Sequence, residues 1–135
     1  MSEFKIIDLR QEDLDILQEM IIEFAKYEDM LDFLQCTKEK LEHSLLKNKF
    51  ARAFLLKENE KTIGYMIYFY TFSSFWGSGG IYLEDIYIRE EFLKEEFFTW
   101  FNMWSFDVIN KAKTHFYKAL AMLMQDFFNQ LNTKF

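Results

Sequence analysis

The stretch Thr62–Phe72, TIGYMIYFYTF, is apolar at both alternating sets of positions. A strand has two faces, so a run apolar on both has to be central in its sheet and covered above and below. One such strand commits the chain to layers on both sides of a sheet. The segment before it, ARAFLLK (51–57), reads as a second strand, and the polar ENEK (58–61) as the turn joining the two into a hairpin. FKIIDL (4–9) reads as a first strand and IYLEDIYI (81–88) as a fourth, with the loop SSFWGSGG in front of it. Helical spacing covers the remainder. Leu14, Leu17, Met20, Ile21, Phe24 and Tyr27 mark an amphipathic helix within Gln11–Met30, and Thr37 caps a second helix carrying Leu41, Leu45 and Leu46. Phe98, Phe101 and Trp104, then Ala112, Phe116, Ala119, Leu120 and Leu123, continue the helical pattern to the C-terminal side. This order predicts a single α+β domain over 1–135, with a mixed, mostly antiparallel sheet flanked by helices.

Composition narrows the function. Half of the 135 residues are apolar, enough for one core. The formal charge is −6, and the acidic and basic residues are interleaved without a Lys/Arg cluster, so a nucleic-acid partner is not expected and a cationic one is. One cysteine, Cys36, with His43 and His115, offers neither an internal disulfide nor a zinc set, and no metal is expected. The longest strongly apolar run, IGYMIYFY, is too short to span a bilayer, and MSEFKIIDLR lacks the apolar segment of a signal peptide. The expectation is a cytoplasmic protein without a membrane anchor. There is no proline, and the four glycines, Gly64, Gly77, Gly79 and Gly80, all precede residue 81. Any ligand site that needs close backbone approach is therefore expected in the first 80 residues.

Three segments, EFAKYEDM (23–30), IGYMIYFYTFSSFWGSGGIYLEDIYI (63–88) and NKAKTHFYKAL (110–120), resemble the GNAT acetyltransferases, in particular the spermidine/spermine (diamine) N-acetyltransferase branch. The resemblance runs almost continuously over residues 4–90 and again from about Trp104 to Phe127. It implies direct acetyl transfer from acetyl-CoA, the co-substrate, to a small amine in a cleft where strands four and five splay apart. By the same resemblance Glu84 in YLED is the base or relay, and Tyr117 in FYK protonates the departing thiolate. Asn110 steadies CoA, and the backbone of Tyr87 and Ile88 bonds the pantetheine arm. Alternation along strand four independently puts Glu84 with Tyr82 and Ile86 on one face and Asp85 on the other. Phe75 and Trp76 would form an aromatic wall for the amine. Without the resemblance, an adjacent acid pair at a sheet end, a helical tyrosine and loop aromatics read as ordinary packing and anchoring groups.

The segment REEFLKEEFF (89–98) departs from the family. Where the family carries [Arg/Gln]-x-x-Gly-x-[Gly/Ala] to cradle the CoA pyrophosphate, this chain has Leu93 for Arg/Gln, Glu96 for the first glycine and Phe98 for the last. Glu90, Glu91, Glu95 and Glu96 put negative charge where the phosphates would bind. Only 21 residues separate Ile88 from Asn110, so the third helix and fifth strand read as shortened or merged, with FFTWFNMWSFDV the remnant. Without a fifth strand the edge of strand four needs a cover, for which a homodimer would serve. Two functions follow: an N-acetyltransferase of a small primary amine or polyamine, or an inactive remnant that no longer binds CoA and serves as a binding or interaction domain.

Overall fold

The computed structural model describes residues 2–111, 121–122, 124–127 and 129. Four strands, β1 (Phe4–Asp8), β2 (Arg52–Glu58), β3 (Lys61–Ser73) and β4 (Ser78–Ile88), form one sheet in the order β1-β2-β3-β4. All three pairings are antiparallel. The run that is apolar on both faces is β3, which lies between β2 and β4 and is buried from Ile63 to Tyr68. Its position follows from its sequence, because an edge strand would leave those side chains in water.

Helix α1 (Leu14–Tyr27) and helix α2 (Lys38–Leu41, continued by a π-helical turn, Glu42–Lys47) cover one face. Leu14, Leu17, Met20, Leu41 and Leu45 pack there on Ala53, Leu55, Tyr65 and Ile67. Thr37 caps α2 as its sequence predicts, its hydroxyl accepting a bond from the Lys40 N–H at 3.2 Å. The entry to α1 is fastened by Asp13, whose carboxylate accepts bonds from the Arg10 N–H at 2.9 Å and from Arg10 Nε at 3.0 Å.

Helix α3 (Glu95–Lys111) covers the other face. Phe97, Phe98 and Phe101 enter a core with Phe4, Leu56, Ile63, Met66, Ile86 and Ile88, completed by Met124. The segment FFTWFNMWSFDV, expected as the remnant of a shortened or merged third helix and fifth strand, is helical throughout, in keeping with the helical spacing of Phe98, Phe101 and Trp104. Phe97, Phe101 and Ser105 recur every four residues and are all buried, so the 3.6-residue period outweighs the β-propensity of the aromatics. Among the described residues no strand follows β4, and it forms the sheet's outer edge. None of the described helices is long and apolar enough to cross a membrane.

Two irregularities shape β3 and β4. The pairing shifts once between Leu56 and Lys57, leaving Ile63 as an extra residue in β3. It shifts again between Ile67 and Tyr68, leaving Glu84 as an extra residue in β4, a β-bulge. Beyond it, β3 and β4 run on to the Ser73–Ser78 pair as a two-stranded hairpin past the end of β2, turning at Gly77, whose φ of +64° suits glycine.

Candidate active site

The bulge corrects the expected faces of strand four. Ile81 and Leu83 before it, and Ile86 and Ile88 after it, all face the α3 core. Glu84 therefore does not share a face with Ile86; it is the residue at which the alternation changes phase, and its side chain is exposed. Neither glycine nor proline marks the place. Asp85 falls on the α1 face beside Tyr65 and Tyr87, and Tyr65 donates its hydroxyl to Asp85 Oδ2 at 3.3 Å. Asp85 is half-buried and forms no ion pair with a Lys or Arg among the described residues. Burial pushes its carboxyl above the ordinary carboxylate range, the neighbouring Glu84 charge adds to this, and the Tyr65 hydrogen bond opposes it. Burial also pushes the Tyr65 hydroxyl up, with the Asp85 charge acting in the same direction. Polarity alone marks Asp85 as the neighbour of Glu84 in an apolar strand, but nothing in the sequence pairs it with Tyr65, which lies 20 residues away on β3.

The backbone of β4 is as specific as its side chains. Arg89 N–H donates to Ile63 O at 2.9 Å, and paired residues in an antiparallel ladder exchange both their bonds at alternate positions. Arg89 and Tyr87 consequently turn their N–H and C=O toward β3, while Ile86 and Ile88 turn theirs toward the open edge. Of the two residues expected to offer backbone to the pantetheine arm, Tyr87 turns its N–H and C=O into the ladder, and Ile88, like Ile86, turns its own to the open edge. The Tyr87 ring stands on the α1 face, edge-on to Phe24 at 5.5 Å and tilted against Tyr65 at 5.9 Å. Arg89, at the strand's end, binds Glu23 at 3.1 Å and Glu19 at 3.5 Å and so ties β4 to α1.

Other expected residues lie apart. Phe75 and Trp76 occupy the hairpin tip, 97% and 84% exposed. Six strand residues, about 20 Å, separate Ser78 from Glu84, so the aromatics do not converge on the acids. Asn110 lies in α3, not in a separate helix, and its amide donates to Phe106 O at 2.8 Å. Tyr117 lies outside the described residues. His43 is beside Asn48 and Phe50, and Cys36 is a free, half-buried thiol. No cluster of metal ligands occurs among the described residues.

The start of α3 differs from a phosphate cradle. Phe98, at the expected last glycine, is buried in the α3 core, and Glu96 accepts a bond from the Ser2 N–H at 3.1 Å. Glu95 and Glu96 occupy the first turn, where their charge complements the helix dipole.

A four-stranded antiparallel sheet of this order, with helices on both faces, has the fold of the GNAT acetyltransferases. A possible acetyltransferase from Clostridium difficile 630 superposes with a TM-score of 0.60 at 15% identity, over 80% of this chain and 72% of that one. Ribosomal-protein-alanine N-acetyltransferase from Brucella melitensis biovar Abortus 2308 gives 0.58 at 13% identity, over 81% and 73%. An aminoglycoside acetyltransferase from an uncultured soil metagenomic sample, in complex with sisomicin, gives 0.55 at 19%, over 75% and 68%. GNAT acetyltransferases use acetyl-CoA as co-substrate. In sequence the chain is similar to thialysine N-epsilon-acetyltransferase of Caenorhabditis elegans, 30% identical over 92 residues, which are 68% of this chain. The matched segment spans 56% of that protein's length. No family model matches the chain.

Proposed function

We propose that this chain is an acetyl-CoA-dependent N-acetyltransferase that transfers the acetyl group directly to a small primary amine or polyamine. The observation that carries the reading is the bulge at Glu84 in the edge strand of an acetyltransferase fold. It sets two adjacent carboxylates, one exposed and one half-buried without a cationic partner among the described residues, beside strand backbone that faces away from the sheet. Similarity to an N-ε-acetyltransferase of thialysine supports an amine as acceptor.

Acetyl-CoA supplies an acyl thioester already activated toward attack. The pantetheine arm fits the edge of β4, where the N–H and C=O groups of Ile86 and Ile88 would hold it as an added strand holds to a sheet. An alkylammonium, with a pKa near 10, has to lose a proton before its lone pair can attack, and the Glu84–Asp85 pair is placed to bind it and accept that proton. Tyr117 as acid and Asn110 as a CoA contact belong to the proposal through the family resemblance; a cytoplasmic location belongs to it through the lone Cys36 and the absence of a long apolar run in the sequence. The pyrophosphate fits less well. The glutamate-rich start of α3 reads as a degraded phosphate loop, and it favours a second reading: a scaffold that no longer binds CoA and serves as a binding or interaction domain, with a second chain covering the β4 edge.

Titration calorimetry of the full chain with acetyl-CoA, followed by an amine panel, separates the two. Micromolar binding with acetyl transfer is the expected result. A folded protein that binds no acetyl-CoA at millimolar concentration would leave the second reading.

A further inference from the structure

We propose that Asp85 is the carboxylate that takes the proton from the incoming ammonium, and that Tyr65 is a positioning residue that holds it for that task. The inference rests on the acetyltransferase reading and assigns its proton acceptor to this pair rather than to Glu84.

Three observations carry it. Glu84, at the bulge, is exposed, so water competes for whatever it binds. Asp85 is half-buried with one oxygen bonded to the Tyr65 hydroxyl, and it lacks a Lys or Arg partner among the described residues. A carboxylate so placed is incompletely compensated until a cation reaches it. Tyr65 is 1% exposed, and its ring is fixed between the α1-side core and Tyr87, so its hydroxyl cannot follow Asp85 if the carboxylate moves. A buried donor with one acceptor restricts that acceptor to one orientation.

The groups around the pair have opposing effects. Glu84, adjacent on β4, raises the Asp85 carboxyl, while the Tyr65 hydrogen bond from β3 lowers it against the effect of burial. Tyr87 and Cys36 border Tyr65, and beyond Tyr87 the Arg89 guanidinium is already paired with Glu23 and Glu19. Helices α1 and α2 turn Leu14, Leu17, Met20, Leu41 and Leu45 toward this face. The step balances simply. Asp85 accepts one proton from R–NH3+, giving a carboxylic acid and a free amine. The amine lone pair forms the C–N bond as the C–S bond breaks, the acid gives the thiolate a proton so that it leaves as the thiol, and the amine's second proton, passed through water, restores the acid. Asp85 then returns its proton to water.

The test compares the full-length protein with Asp85→Asn, Glu84→Gln and Tyr65→Phe, using acetyl-CoA and putrescine, and follows the Asp85 carboxyl by carbon-13 NMR titration, assigned by its loss in Asp85→Asn. Asp85→Asn should lower kcat/KM by about 100-fold or more, the range for loss of a proton acceptor, and Glu84→Gln by less than tenfold. Tyr65→Phe should move both the Asp85 titration and the acidic limb of the pH–rate profile to higher pH, because the bond it removes favours the ionised carboxylate. A loss in Glu84→Gln that equals or exceeds that in Asp85→Asn would return the role to Glu84. An Asp85 titration that stays in place in Tyr65→Phe overturns the positioning role. A wild-type protein that acetylates no amine overturns the functional reading and the proton transfer with it, while the NMR titration still decides whether Tyr65 holds Asp85.

Discussion

Replacing Gly64 by alanine tests the placement of β4 against β3. A Cβ at Gly64 would run into the Tyr87 carbonyl oxygen and the tip of the Ile88 side chain, with Ile88 Cα a further 3.2 Å neighbour. The side-chain tip can rotate away. The carbonyl cannot, because it faces β3 within the ladder, so β4 has to shift as a strand. Overpacking of this kind costs about 1–3 kcal/mol, and the lower unfolded-state entropy of alanine returns about 0.5–1 kcal/mol. The net loss is at most about 2.5 kcal/mol and centred on about 1 kcal/mol, which for a domain of this size lowers Tm by roughly 4 °C at the centre of the range. Urea unfolding followed by far-UV circular dichroism reads it directly, with the midpoint falling and the slope unchanged. The displacement includes Ile88, whose backbone lies on the open edge, so acetyl-CoA affinity should fall in the same variant. Equal or greater stability in Gly64→Ala would refute the Gly64–Ile88 pairing and the edge geometry derived from it.

Three further outcomes follow from the same structure. Phe101 is 1% exposed among Phe97, Trp100 and Trp104, so Phe101→Ala should cost about 3–5 kcal/mol, whereas Phe106→Ala on the same helix, 69% exposed, should stay within about 0.5 kcal/mol, both read by the same urea unfolding. Burial acts to raise the Asp13 carboxyl, but its bonds from Arg10 prevail and hold it below the ordinary range. A depressed carboxylate stabilises the fold above its unfolded pKa, about 3.9, so Asp13→Asn should cost about 1 kcal/mol at pH 7 and the gap should close as pH falls below about 4. The paired change Glu95→Gln with Glu96→Gln removes two charges from the first turn of α3; acetyl-CoA affinity by calorimetry should rise, while stability falls by about 0.5–1 kcal/mol from the lost dipole interaction. An affinity that is unchanged or lower would place the pyrophosphate away from this helix.

Local pattern and layer order were legible in the residues. The alternation of β1, β2 and β3, the Thr37 cap and the stripe on α1 each depend on neighbours a few positions away, so periodicity is enough to read them. The acid pair was legible as a pair, since two carboxylates in an apolar strand stand out on polarity alone. Which of the two is exposed and which is half-buried against Tyr65 was not. The same difficulty separates Phe75 and Trp76 from the acids: a loop next to a strand in sequence is still about 20 Å away when the strand is straight and long.

By itself the sequence determined that β3 is central, that helices lie on both faces, and that β4 carries two acids, because burial on two faces and one-residue alternation are properties of the chain's own polarity. Only the tertiary structure decided the rest. The bulge at Glu84 arises from the pairing of β4 with β3, which no residue in β4 announces, and it reverses the phase of every side chain on one side of it. That single offset exposes Glu84, turns Asp85 toward Tyr65, and sets the open edge of the sheet at Ile86 and Ile88. On α3 the helical spacing was legible, but its place was not: only the fold shows that it lies on the sheet face where Phe97, Phe98 and Phe101 are buried together.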